Sequence, residues 1–272
     1  MQRRAFLTVV GAIAGQYQAR HAKRGTRNGM LGHLFRVPTS DFRVVPGQEP
    51  SLSPEVFARR LERARGELKA RGLHLLIATP STTYEYLTGY NPGRSERLIA
   101  LLLPVAGAPA IVCPSFEVER IKRHSVITEL HGWEEQEDPH ALVRETVRRL
   151  RPGSARGTIA LESSTAYQTF LRLGRAFPGW TFVDAAPVTE RLRVIKSPEE
   201  VALLRRVIAI TQDAMAATFA QLAVGATELQ VAQALSREME QRGAPGGGLV
   251  QFGPSSALPH GGPAGPDRKS VV

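Results

Sequence analysis

The stretch VQFGPSSALPHGGP, residues 250–263, sets a single histidine, His260, among glycines, prolines and small side chains. A neutral imidazole can donate or accept a proton near neutral pH, and flanking glycines let a substrate approach the backbone. Taken alone, the pattern reads better as a loop histidine at a frayed terminus. Gly253-Pro254-Ser255-Ser256-Ala257 imitates the first half of a serine-hydrolase elbow, but Ala257 stands where the second glycine belongs and Pro254 breaks the strand that must lead in. A serine hydrolase is therefore the weaker reading. Glu134, Glu135, Glu137 and Asp138 lie between His131 and His140, a donor set suited to a metal ion only if rigid elements hold it. They precede a helix start, so a solvated loop is the better reading. GAPGGG, residues 243–248, lacks the Lys-Ser/Thr of a phosphate loop and reads as a flexible turn from helix to strand. HExxH is absent, Cys113 is the single cysteine, and His74 in an apolar run reads as a satisfied core histidine.

The elements that must position these residues alternate between strand and helix. Ser53-Pro54-Glu55 has the order of a helix start, with the Ser53 hydroxyl as cap, and Gly72 is placed to stop that helix. LHLLIA, ALLLPV, PAIVCP, TIALES and WTFVDA read as short buried strands, and HALVRETVRRL and STAYQTFLRLGRAF as helices. The fold class is α/β. From about residue 191 the pattern changes to two long helices in succession. Ser197 with Glu200, and Thr227 with Gln230, have capping-box spacing.

The chain of 272 residues carries a net charge of +10, but the excess is local. Residues 1–44 hold eight Lys/Arg against Asp41 alone, which leaves +3 for the remainder. So balanced a body argues against a nucleic-acid partner. MQRRAFLTVVGAIAG pairs Arg3 and Arg4 with a short apolar run, the layout of an export signal of twin-arginine type, and the run is too short for a transmembrane span. The expectation is an exported protein, periplasmic or extracellular, and a cytoplasmic one if the leader does not function.

Three segments then add a resemblance. Tyr86-Leu87-Thr88-Gly89-Tyr90, Arg193-Val194-Ile195-Lys196-Ser197-Pro198-Glu199-Glu200, and Phe252-Gly253 followed by Pro259-His260-Gly261 occur in the order and at the separations of the creatinase and Xaa-Pro aminopeptidase family of pita-bread metallopeptidases. The resemblance covers about residues 50–269. With the export signal and basic linker read over 1–44, it implies a creatinase-type N-terminal domain over 45–190 and the incomplete start of a pita-bread catalytic domain over 191–272. It gives His260 a substrate contact or proton transfer as its role, without metal ligation. Two divalent ions of manganese type are implied, held by two aspartates, one histidine and two glutamates, all of them downstream of His260. On this expectation the chain alone lacks the metal site. The implied substrate is a proline-containing peptide, and the implied partner is a second copy or a complementing C-terminal chain. Creatinase-like or dipeptidase specificity stays open, and so does the contrasting reading of a non-catalytic remnant that serves as a partner-binding or dimer-forming module.

Overall fold

The computed structural model describes residues 52–151, 156–252 and 256–257, and these divide between two compact units, Leu52–Ser197 and the part that begins at Pro198. The first is an open sheet with helices on both faces. Its elements are α1 (Pro54–Ala70), β1 (Leu75–Ala78), α2 (Thr82–Thr88), β2 (Ala100–Pro104), β3 (Ala110–Pro114), α3 (Val118–His124), β4 (Glu129–Trp133), α4 (Pro139–Leu150), β5 (Gly157–Leu161), α5 (Tyr167–Ala176), β6 (Trp180–Asp184) and α6 (Ala186–Val194). The strand order is β4-β3-β2-β1-β5-β6. β2 runs antiparallel to both its neighbours, and every other pairing is parallel. Buried on both faces, β1, β2 and β3 are unbroken runs of apolar residues, as parallel-type cores require.

The two-residue period of the strands sorts one sheet into two cores. Leu76 and Ala78 join Leu101, Leu103, Ile111 and Cys113 against α1, α2, α3 and α6. Leu75 and Ile77 join Ala100, Leu102, Val112 and Ile159 against α4 and α5. A strand slipped by one residue would exchange the two sets, so the register is strongly specified.

Helix ends follow local chemistry. Asp138 accepts the His140 amide at 2.9 Å and Pro139 opens α4, as its sequence requires. Ser53 stands at the cap position of α1 without capping it; its hydroxyl turns to the Glu55 carboxylate and holds that group below the usual carboxylate range. That corrects the expectation of a serine cap. α6 extends the first unit beyond residue 191, with Val188 and Leu192 buried in the core against α1.

Within the second unit α7 (Pro198–Ala220) packs against α8 (Glu228–Gln241). Thr227 Oγ1 accepts the Gln230 amide at 3.2 Å while the Gln230 side chain accepts the Thr227 amide at 2.9 Å, the reciprocal box expected there. No helix among the described residues is long and apolar enough to cross a membrane.

Candidate functional site

The three segments that carry the family resemblance have different structural duties. Tyr86 to Tyr90 close α2. The chain turns at Gly89 with φ of +81°, a backbone state that favours glycine, and a Cβ there would also meet the Phe57 ring at 3.2 Å. Tyr86 is the joint of this domain. Its hydroxyl donates to the Leu192 carbonyl at 3.0 Å, Arg60 lies 3.9 Å over its ring, and Arg60 Nη1 donates to its carbonyl at 2.9 Å. Leu87 is buried in the core, and Thr88 Oγ1 donates to the carbonyls of Tyr84 and Tyr90. Tyr90 stacks on His124 with 5.3 Å between centroids. The whole signature therefore ties α1, α2, α3 and α6 together.

Arg193 to Glu200 bridge the end of α6 and the start of α7. Val194 and Ile195 are exposed, and the Lys196 ammonium donates to the Val194 carbonyl at 3.2 Å.

The third segment is approached along α8. From Gly243, with φ of +74°, the chain doubles back beside the helix it has just left. A Cβ on Gly246 would meet Met239 Cε at 3.0 Å, one on Gly247 would meet Ser236 Oγ at 2.8 Å, and one on Gly248 would meet Leu235 Cδ2 at 3.1 Å. The triple glycine of GAPGGG is thus a close backbone approach to helix side chains. This replaces the expected flexible turn into a strand: no strand forms over 244–252. At the far end the Phe252 amide donates to Glu228 Oε1 at 2.8 Å, and Glu228 is buried at the first position of α8. The run-in is therefore fixed at both its glycines and its last described residue. Gly253 to Ser255 and Leu258 to Gly261, including His260, lie outside the described residues, as does most of the elbow-like stretch.

The acid cluster does not converge. Glu137 closes a turn by accepting the Glu134 amide at 2.8 Å, Glu135 pairs with Arg97 at 2.6 Å, and Asp138 caps α4. His131 Nε2 faces Glu129 Oε1 at 3.1 Å on β4. His140 is buried beside Asp138, at 3.2 Å. Burial lowers its pKa against the opposing pull of that carboxylate, while Arg172 lowers it further. Among the described residues no group of three or more His, Cys, Asp or Glu side chains is placed to hold a metal ion. His74 is satisfied as expected: its Nδ1 accepts the Thr158 amide at 3.0 Å, and so locks β1 to β5. Cys113 is buried, which pushes its thiol up to about 12, with Glu117 adding to the shift. A thiol so held is no nucleophile.

A further set of polar groups lies where β1 and β5 end. Chains leaving these neighbouring parallel strands go to opposite faces, α2 to one and α5 to the other, which makes a topological switch point. Thr79 and Thr165 hydroxyls meet there at 3.2 Å, and Ser163 bonds Asp184. Burial raises the Glu162 pKa, with the Thr83 hydroxyl opposing. Neither Glu162 nor Glu228 announces itself in the sequence, since each gains its surroundings only when a distant segment returns.

The comparisons with known proteins agree with this architecture. Residues 60–195 match the Creatinase/Prolidase N-terminal domain, and residues 202–271 match Metallopeptidase family M24. The chain belongs to that family, with its creatinase-type N-terminal domain followed by part of its peptidase domain. A probable dipeptidase PepE of Mycobacterium bovis is 34% identical over 212 residues, 76% of this chain and 55% of the relative. An uncharacterized peptidase of Staphylococcus aureus is 31% identical over 196 residues, 71% of this chain and 53% of the relative. The crystal structure of dipeptidase PepE from Mycobacterium ulcerans superposes with a TM-score of 0.62 at 31% identity, covering 78% of this chain and 57% of that one. The chain thus spans about half the length of the curated relatives it matches.

Proposed function

We propose that this chain forms part of a metal-dependent peptidase that cleaves short peptides at the bond before proline, with His260 contacting the substrate or moving its proton. The observation that carries the reading is the succession of the two family matches along one chain, the N-terminal domain followed directly by the peptidase domain. The dipeptidase relatives support a small peptide as substrate. Two divalent ions of manganese type are implied by the family resemblance, and when bound such ions activate a water for attack on a carbonyl. The described residues do not fit that group, because they bring no three suitable donors together. The duties left to this chain are to fix the run-in to His260 along α8 and to hold the N-terminal domain rigid through Tyr86.

In the same reading the protein acts outside the cytoplasm, sent there by the twin-arginine signal within residues 1–44, and it works as a homodimer or with a complementing C-terminal chain. The test is hydrolysis of an Xaa-Pro dipeptide and its Xaa-Ala counterpart, with and without Mn²⁺. The assay is run on the chain alone and on the protein translated from its complete reading frame. Metal-stimulated cleavage of Xaa-Pro by either product supports the proposal. Absence of cleavage from both favours a second reading, a non-catalytic binding module. Two observations speak for that module: the first unit has a core on each face of its own sheet, and Ile208, Phe219, Val224 and Leu229 expose apolar surface on and between α7 and α8.

A further inference from the structure

A groove of about 550 Å³ lies between α4 and α5, on the side of the first unit away from α1. Arg144 and Arg148 line it from α4, four residues apart and so on one helix face; Arg172 and Arg175 line it from α5, three apart. Among the described residues none of these four guanidiniums has a carboxylate or hydrogen-bond partner. The two acids of the groove are already engaged: Asp138 caps α4 and holds His140, and Glu145 pairs with Arg149 at 3.7 Å. Four cations thus line one groove with no ion pair of their own among the described residues, a concentration of positive charge that an anion stabilises. Arg148, Arg172 and Arg175 are exposed and Arg144 is half-buried, so the groove is open to a solute.

We propose that this groove binds a small anion carrying two or more phosphate groups. A guanidinium presents a planar fork of donors that matches phosphate oxygens bidentately, and the two helices offer one pair of forks each. One pair per phosphate suits a diphosphate better than a single phosphate. The volume lies within the range of small-ligand sites, and four of the nine lining residues are arginines. The role proposed for His260 does not use this groove, since its lining residues, from Asp138 to Ala176, all belong to the first unit.

The experiment is isothermal titration of the full chain with inorganic pyrophosphate, monophosphate, adenosine diphosphate and citrate at one fixed ionic strength. Saturable binding of pyrophosphate or of the nucleotide, tighter than that of monophosphate and citrate, is expected. Tighter binding of the nucleotide assigns the phosphates to an organic ligand, and equal binding assigns them to the inorganic ion. Arg172→Gln with Arg175→Gln should weaken binding about tenfold or more, because hydrogen bonds to charged groups are lost. Both residues are exposed, so their circular dichroism should match the parent. Arg148→Gln, also exposed, provides a second variant, and Arg94→Gln, which does not line the groove and donates to the Pro80 carbonyl, should leave affinity unchanged. The proposal is overturned if pyrophosphate shows no saturable heat at millimolar concentration, if citrate binds as tightly, or if Arg94→Gln weakens binding as much as the groove variants.

Discussion

Replacing Glu228 tests how the segment that leads to His260 is held. Its carboxylate accepts the Phe252 amide at 2.8 Å while buried at the start of α8, so truncation to alanine deprives that amide of a charged acceptor in a site where water is scarce. A lost bond of this kind costs about 1–3 kcal/mol. Alanine also removes a negative charge from the helix N-terminus, which adds about 0.3–1 kcal/mol. Glutamine keeps an acceptor oxygen and loses only the charge, so Glu228→Gln should cost about 1 kcal/mol at most. Amide hydrogen exchange is the direct assay. Local opening that is easier by about 1–3 kcal/mol speeds exchange at Phe252 by about 5- to 150-fold in Glu228→Ala, and less in Glu228→Gln. Amides of β1 and β2, in the other compact unit, should be unchanged. Equal exchange at Phe252 in the parent and in Glu228→Ala would refute the claim that this carboxylate anchors the run-in.

Gly247→Ala places a methyl where 2.8 Å separates it from Ser236 Oγ, and should destabilise the second unit by about 1–3 kcal/mol in urea unfolding, with part of that loss restored by Ser236→Gly in the same chain. Tyr86→Phe removes the bond to the Leu192 carbonyl and should cost about 0.5–1.5 kcal/mol, read as a lower urea midpoint at unchanged m-value. His140 is buried with its pKa lowered from 6.5, so the folded state disfavours its proton; its contribution to stability is full above that value and falls away as pH drops below it. Urea midpoints measured between pH 7 and pH 5 should therefore decline in the parent and decline less in His140→Gln. Arg3→Lys with Arg4→Lys should keep the protein inside the cell if the leader is read as a twin-arginine signal, which fractionation of an expressing bacterium reports.

Much of the first unit was legible because its central strands β1, β2 and β3 are fully buried. LHLLIA, ALLLPV, PAIVCP and TIALES are apolar runs bounded by turn residues, and each overlaps a strand of the sheet. Four elements escaped, the short helix α3 among them. β4, whose sequence is ELHGW, lies at the sheet edge with only Trp133 buried, so its apolar signal is weak. α2 is TTYEYLT, poor in strong helix formers, and exists because Ser81 caps it and Gly89 ends it. α6 begins with alanine and proline and carries charge on its outer face, and its helical state follows from burying Val188 and Leu192 against the core.

At the candidate site the motif residues were legible and their duties were not. Tyr86 to Tyr90 gave the family away, but only the fold shows that this signature is a structural joint. The glycines of GAPGGG read as flexibility because nothing in the linear sequence places Ser236 and Leu235 beside them. The balance of acids around Asp138 was settled by geometry: a turn, an arginine and a helix cap each take one carboxylate.

The central claim is that this chain supplies the N-terminal domain and the His260 approach of a proline-directed peptidase. Hydrolysis of an Xaa-Pro dipeptide by the product of the complete reading frame, parent against His260→Ala, tests it most directly. Mn²⁺-stimulated cleavage is expected in the parent and a loss of about 10²- to 10⁴-fold in the variant, the usual contribution of a positioned proton-transfer group. Cleavage undiminished in His260→Ala, or no metal-stimulated cleavage of any Xaa-Pro dipeptide by the parent, would contradict it.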